Sequence, residues 1–284
     1  MRAVEPVELA REALASRDPM QKVVLTRQAV TAWQEWLAQL DPAEPLPGVL
    51  APPPAPGAPD KPELVSPHRV AKRKLGAEQG RAIHLHALTH IEFVATNLAW
   101  DAVLRFADLP AAYYADWVQV ALEEARHFEL LAERLGSLGH QYGDFTAHAG
   151  LWQMAEKTAE DPLLRMMLVP RYLEARALEA VPIMQQKFRA VGDAETAELL
   201  GLIGEEEVGH VAAGSRWFGA ICTQRGVDRQ RCFADLLQQH LPRGVKGPLN
   251  RGVRQQAGFT DWELDLLEQG PDARGRAPSW SHSV

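Results

Sequence analysis

The sequence predicts an all-α protein, a four-helix bundle made of two helical hairpins joined by a long crossover, with additional helices at the N- and C-terminal ends. Three observations predict it. Ala, Leu, Glu, Arg and Gln dominate outside one proline-rich stretch and β-branched runs are scarce, which favours helices over strands. Two Glu-x-x-His motifs, Glu124-Ala-Arg-His127 and Glu207-Val-Gly-His210, each follow a lone glutamate, Glu92 and Glu174, at intervals of 124 − 92 = 32 and 207 − 174 = 33 residues. Helix breakers stand midway along both intervals, Asp108-Leu109-Pro110 in the first and Val191-Gly192-Asp193 in the second. Residues equidistant from the turn of an antiparallel hairpin lie at one height, so each lone glutamate is level with a Glu-x-x-His.

From the N-terminus, amphipathic patterns predict helices over about 6–16 and 21–40. The second carries Val24, Leu25, Ala29, Trp33, Trp36, Leu37 and Leu40 as an apolar stripe that must pack on the main body. Residues 42–67 hold ten of the twenty prolines, including Pro52-Pro53-Pro54, and cannot form a helix or a central strand. They read as an extended connector on the surface, with a polyproline recognition motif as the sharper alternative.

A long helix is expected over 68–107, with an interruption near Gly76–Gly80, and a second over 111–135. Gly136, Gly139, Gly143 and Gly150 mark an irregular crossing with a short helix near 151–159. The pair Asp161-Pro162, an N-cap followed by proline at the first helical position, starts a third helix that reaches about Ala190. Pro170 and Pro182 interrupt it on both sides of Glu174. The fourth helix runs from about 194 to 224. Phe233, Leu236, Leu237, Leu241, Trp262, Leu264 and Leu267 predict one or two covering helices within 225–268, and 269–284 read as disordered. The organisation is thus an N-terminal extension (1–41), a connector (42–67), the bundle (68–224) and a C-terminal cover with a flexible tail (225–284).

A length of 284 residues is enough for a large core, and a net charge of −7 argues against a generic nucleic-acid binder. Cys222 and Cys232 fit neither a Cys-x-x-Cys metal pair nor a disulfide framework, so two reduced thiols are expected. The start Met1-Arg-Ala-Val-Glu-Pro has no apolar signal core and no stretch reaches the length of a membrane span, which predicts a soluble cytoplasmic protein with no membrane partner.

Residues three apart on a helix point the same way, so Glu124 with His127, and Glu207 with His210, can each reach one interior point. With 10 histidines in 284 residues, about one Glu-x-x-His arises by chance, so a single copy carries nothing. Two copies, each level with a glutamate, carry more. The bland reading is two solvated helix faces with coincidental histidines. Against it, Glu92 sits between Ile91 and Phe93-Val94-Ala95 and shares a face with Leu88, Ala95, Ala99 and Val103, while Glu174 follows Tyr172-Leu173. Four buried carboxylates need compensating charge, and two divalent cations supply it. Glu92, Glu124, His127, Glu174, Glu207 and His210 are therefore the candidate ligands of a two-metal centre. Glu123 and Glu206, four residues before each histidine, remain open alternatives. His84, His86 and His90 read as surface or supporting groups, and Tyr172 as an ordinary packed tyrosine.

The segments His90-Ile-Glu-Phe-Val-Ala95, Glu123-Glu-Ala-Arg-His127, Leu173-Glu-Ala-Arg176 and Glu206-Glu-Val-Gly-His-Val211 resemble a bacterial ferritin-like family of unknown function, as does Pro248-Leu-Asn-Arg-Gly-Val-Arg-Gln-Gln-Ala-Gly-Phe259. The resemblance implies a ferritin-like core with the six residues above as ligands, choosing Glu124 and Glu207 over their neighbours. A more distant similarity is to the di-iron hydroxylases that modify a hypermodified adenosine in tRNA.

Imidazole with carboxylate suits iron or manganese, so the expected cofactor is an Fe/Fe pair, with Mn or mixed Fe/Mn as variants. The leading function is an oxygen- or peroxide-dependent oxidase or hydroxylase. Iron handling or peroxide detoxification without an organic substrate is the alternative class, and a metal-stabilised interaction module is a third. The implied partners are a small-molecule or tRNA-borne substrate and an electron-donor protein, with a homodimer as an allowed assembly. For tRNA the local feature is the C-terminal concentration of Arg225, Arg229, Arg231, Arg243, Lys246, Arg251 and Arg254, with Arg69, Lys72, Arg73 and Lys74 as a smaller cluster. Helix-surface charge with salt bridges to an acidic core is the preferred reading of these residues.

Overall fold

The computed structural model describes residues 4–46, 52–70, 74–245 and 247–270, and among them the regular elements are all helices, with only isolated β-bridges besides. Two compact units form, Met1–Glu160 with Met184–Ile203, and Asp161–Ile183 with Gly204–Val284.

In the first unit α1 (Val4–Ala15) and α2 (Pro19–Leu37) precede the pair α3 (Glu78–Arg105) and α4 (Ala111–Ser137), which pack on each other along their lengths. The turn between them falls on Asp108-Leu109-Pro110, with Asp108 in the left-handed region at φ 60°. It is the turn the glutamate spacing predicts. Most of α3 is buried, on nearly every face, so a polar side chain on it must find a partner rather than water.

The long helix expected from 68 begins only at Glu78, after a 3-10 turn at Pro67–Arg69. The carbonyl oxygen of Lys74 lies 1.9 Å from where a Cβ on Gly80 would stand, so the chain doubles back there instead of continuing as a helix.

Helix α2 packs on the hairpin, as its pattern requires, but its phase differs from the expected stripe. Val24 is exposed, while Lys22, Val23, Thr26, Ala29, Val30 and Trp33 are buried. Trp33 stacks on Tyr114 with centroids 5.9 Å apart, and Trp100 Nε1 donates to Thr26 Oγ1 at 3.0 Å. The hidden member is Lys22, whose Nζ donates to the carbonyls of Ala13 and Leu14 at 2.7 Å each and satisfies the open C-terminal end of α1. Burial pulls this ammonium from 10.5 down to about 7. Between those values the unfolded chain binds more protons than the folded one, so this group makes stability rise with pH from about 7 to 10.5. Lys22→Met is expected to flatten that slope, as read from denaturant midpoints at pH 7 and pH 10.

The described part of the connector lies along the first unit as an extended strap. Leu46 N–H donates to Leu109 O at 3.0 Å, Gly57 N–H to Leu14 O at 2.8 Å, and Val65 N–H to Ala147 O at 2.8 Å. Prolines supply no competing donor, and the intervening N–H groups make the attachments. The crossing that follows α4 carries α5 (Gly150–Lys157), close to expectation.

The second unit opens with α6 (Pro162–Leu168), capped by Asp161, whose carboxylate accepts from Leu163 N–H at 2.9 Å. Pro170 has no N–H to extend the α ladder, and the chain passes into a π turn (Val169–Leu173) and then a 3-10 turn (Glu174–Arg176). The interruption expected at Pro170 is present, whereas the one expected at Pro182 is not, because the helix that contains Pro182 is continuous. Beyond the 3-10 turn run α7 (Ala177–Ala190), with Pro182 inside, and α8 (Ala194–Gln224). Gly192, at φ 79°, makes the turn between them.

Three helices follow instead of one or two: α9 (Arg229–His240), α10 (Arg251–Gln256) and α11 (Asp261–Gln269). Gly258 at φ 83° and the Thr260–Glu263 capping box end one helix and start the next, a break the apolar spacing conceals. The disorder expected over 269–284 is corrected at its start, since Gln269 still belongs to α11 and Gly270 N–H donates to Leu266 O at 3.0 Å; residues 271–284, with Lys72, Arg73 and Lys246, lie outside the described ones.

Candidate metal centre

Glu92 stands in the middle of α3, and Glu124 and His127 stand one turn apart on α4. Their relative exposures are 6%, 1% and 0%, so no bulk water solvates the two carboxylates. His127 Nδ1 lies 3.6 Å from Glu92 Oε2 and 3.6 Å from Glu124 Oε2. Glu92, Glu124 and His127 form a buried group that can hold a metal ion. Glu207, in the second unit, is buried as well, at 5%.

Of the remaining expected ligands, His210 is 1% exposed with Nδ1 3.7 Å from Glu207 Oε1, the second Glu-x-x-His pair. Glu174 lies on the 3-10 turn, half-buried, with Oε2 fully buried. The neighbouring glutamates behave differently. Glu123 accepts from Gln119 Nε2 at 2.8 Å on an exposed face, and Glu206 is half-buried where Glu207 is buried.

Burial and the approach of like charges make ionisation of these carboxylates costly. Burial first, and then the neighbouring Glu124 carboxylate, push Glu92 well above the ordinary glutamate range. Burial alone would lower His127, but the Glu124 and Glu92 carboxylates, each 3.6 Å from its Nδ1, raise it to about 11. Glu92 Oε2 is buried and accepts no hydrogen bond. A carboxylate oxygen in that condition has the lone pairs a cation would use, and metal binding would displace the protons the cluster otherwise retains.

His86 and His90 are buried, at 0% and 9%, so of the two expected readings, surface or supporting, the surface one fails. They hold the crossing loop. His86 Nε2 accepts from Gly143 N–H at 2.9 Å, and His90 Nδ1 meets Tyr142 Oη at 2.9 Å. The Tyr142 ring packs against Phe93 and Phe128, centroids 5.5 and 5.3 Å away, closing the hairpin beside Glu92 and His127 with aromatic surface. His84 packs on Phe188. Tyr172 is half-buried on the π turn.

Four of the C-terminal arginines are engaged with carboxylates. Arg225 meets Asp161 at 2.7 Å, Arg229 meets Glu263 at 3.2 Å, Arg251 meets Asp265 at 3.0 Å and Arg254 meets Glu179 at 2.7 Å. Charge clustering in the sequence cannot separate a bare patch from such pairs, because the acidic partners come from distant positions. Arg171 escaped notice for the same reason. It is a fully buried cation between Pro170 and Tyr172, 3.0 Å from Glu263.

The fold and site together define a class: an all-helical protein with a buried glutamate–histidine group suited to a metal ion, in which no helix among the described residues is long and apolar enough to cross a membrane. The chain belongs to the family described as "Protein of unknown function (DUF455)", whose model matches residues 15–265. It is 46% identical over 216 residues to an uncharacterized protein of Haemophilus influenzae, covering 74% of this chain and 75% of that one. No solved structure matches.

Proposed function

We propose that the chain is a ferritin-like, dinuclear metal protein that uses oxygen or peroxide to oxidise or hydroxylate a substrate, with Glu92, Glu124, His127, Glu174, Glu207 and His210 as ligands and iron, or iron with manganese, as the metals. The observation that carries this reading is the buried group of Glu92, Glu124 and His127 in the first unit, matched by the buried pair Glu207 and His210 in the second. Support comes also from the repeated Glu-x-x-His, each pair with its nitrogen and oxygen 3.6–3.7 Å apart, and from the helix breakers that level each pair with a lone glutamate.

Carboxylate oxygens with imidazole nitrogen, and no thiolate, favour iron and manganese over softer-ligand metals. A bound metal pair supplies two-electron redox chemistry toward oxygen or peroxide. The chain's own contribution is to hold the carboxylates level on packed helices, to release their retained protons on loading, and to exclude water with the Phe93, Phe128 and Tyr142 rings.

Metal analysis after anaerobic Fe(II) reconstitution is expected to give two ions per chain, with oxygen uptake when a reductant is supplied. One ion or none would overturn the dinuclear reading. Uptake that yields only water with every substrate offered would favour iron handling or peroxide removal. Substrates borne on tRNA are the less supported choice, since the basic C-terminal residues are largely paired with carboxylates. An electron-donor protein and a homodimeric assembly stay within the proposal.

A further inference from the structure

The sequence motif Pro248–Phe259 has no part in the ligand set, yet the structure ties it to the turn that carries Glu174. We infer that Arg254 is a positioning residue for Glu174, the working end of a clamp made by the C-terminal segment. The inference rests on the dinuclear reading above.

Glu174 stands on a 3-10 turn between a π turn and α7. Neither irregular turn has the regular ladder that fixes an α-helical side chain, so its direction must be set from outside. Arg254 supplies that restraint. It is 1% exposed, donates Nη2 to Ala175 O at 3.1 Å, and grips Glu179 with Nε at 2.7 Å and Nη2 at 2.8 Å. One guanidinium thus spans the residue after Glu174 and the carboxylate one turn beyond. Asn250 adds two bonds, Nδ2 to Leu178 O at 3.3 Å and N–H to Glu179 Oε1 at 3.1 Å.

On the other side of Glu174, Arg171 pairs with Glu263 at 3.0 Å. The Phe259 ring lies under both arginines, 4.4 Å from the Arg171 guanidinium and 5.2 Å from that of Arg254. Buried ion pairs add little net stability over apolar packing, but they fix one geometry, which is what an irregular ligand-bearing turn needs. Groups that orient metal ligands in this way change metal affinity by about 10–100-fold when removed.

The test titrates metal-free protein with Mn(II), counting free ion by electron paramagnetic resonance, and follows amide hydrogen exchange of residues 171–179 without metal. Wild-type protein is expected to take two ions. Arg254→Met is expected to keep one at wild-type affinity, to weaken the other about 10–100-fold, and to speed exchange in 171–179 while α9 stays protected. Glu179→Gln, which keeps the shape and removes the charge, should do the same more mildly, and Arg254→Lys should restore part of the loss. Two unchanged affinities with unchanged exchange would overturn the clamp. So would a parallel loss of both ions with general loosening, which marks a merely structural role. If wild-type protein takes fewer than two ions, the dinuclear reading fails, and the exchange of 171–179 alone decides whether Arg254 holds this turn.

Discussion

Glu92→Gln is expected to raise the stability of the metal-free protein and to abolish its stabilisation by metal. Glu92 is 6% exposed, its Oε2 accepts no hydrogen bond, and the Glu124 carboxylate is in the same group. The amide keeps the shape of the acid and cannot ionise. Relieving a buried, poorly compensated charge stabilises by about 1–3 kcal/mol, which for a chain of this size is about 2–4 °C of Tm per kcal/mol. Metal present at a hundred times its Kd stabilises the wild-type protein by about 2.7 kcal/mol. The variant lacks one anionic ligand and is expected to lose most of that increment. Thermal melts with and without Mn(II) read both effects. A metal-free variant less stable than wild type would mean that a counter-charge in the protein already satisfies Glu92.

The sign of the pH dependence follows from the direction of the Glu92 shift. Burial and the Glu124 charge hold its folded-state pKa well above 4.5, so the folded chain retains a proton the unfolded chain has lost. Metal-free stability therefore falls as pH rises from about 4.5 toward the folded pKa. The advantage of Glu92→Gln should widen over the same window, for instance between pH 5 and pH 7. The raised His127 acts elsewhere. Its contribution is fully present below its unfolded value of 6.5 and is lost as pH rises through about 11.

Period and punctuation made much of this protein legible. The breakers between Glu92 and Glu124 and between Glu174 and Glu207 are the turns of the structure, and Asp161-Pro162 opens α6, because a helix start and a left-handed turn depend on residues within a few positions. The buried group was legible for another reason, since a glutamate among apolar neighbours on a helix buried over most of its surface has little solvated alternative. What was hidden depends on distant partners. Lys22 looks like a surface lysine until the carbonyls of Ala13 and Leu14 are placed beside it. Arg254 looks like part of a basic patch until Glu179, 75 residues earlier, takes its guanidinium. The phase error in α2 has the same origin, because a stripe mixing Trp33 with Lys22 is apolar only after that lysine is satisfied. The split of the C-terminal cover rests on Gly258 and the Thr260–Glu263 capping box, which were readable locally but outweighed by apolar spacing across them.

Glu263→Gln is expected to cost about 3–5 kcal/mol, the range for removing one partner of a buried ion pair. Glu263 is 1% exposed and faces Arg171, which is also 1% exposed, at 3.0 Å. The phenyl rings of Phe218, Phe233 and Phe259 surround that guanidinium at 4.8, 5.1 and 4.4 Å. Cation–π attraction from the three rings offsets part of the desolvation but cannot replace the carboxylate. Burial already pulls Arg171 down to about 10, and without Glu263 it has still less reason to stay charged. Glutamine keeps an oxygen for Thr260 N–H, so the capping box at α11 survives and the measured loss belongs to the charge. Arg229 also reaches Glu263, at 3.2 Å, but it is about one-third exposed, so Arg229→Gln should cost about 1 kcal/mol or less. Burial works against ionisation of Glu263, yet Arg171, the Thr260 N–H and Arg229 together hold its pKa below the usual 4.5. Its contribution is therefore present above that value and lost as pH falls through the folded pKa, so wild type and Glu263→Gln should converge in acid. Urea denaturation at pH 7 and in acid checks both the size and the sign. A difference below about 1 kcal/mol at pH 7 would show that the aromatic cage alone holds Arg171, and the π turn immediately before Glu174 would then owe its place to ring packing and not to the ion pair.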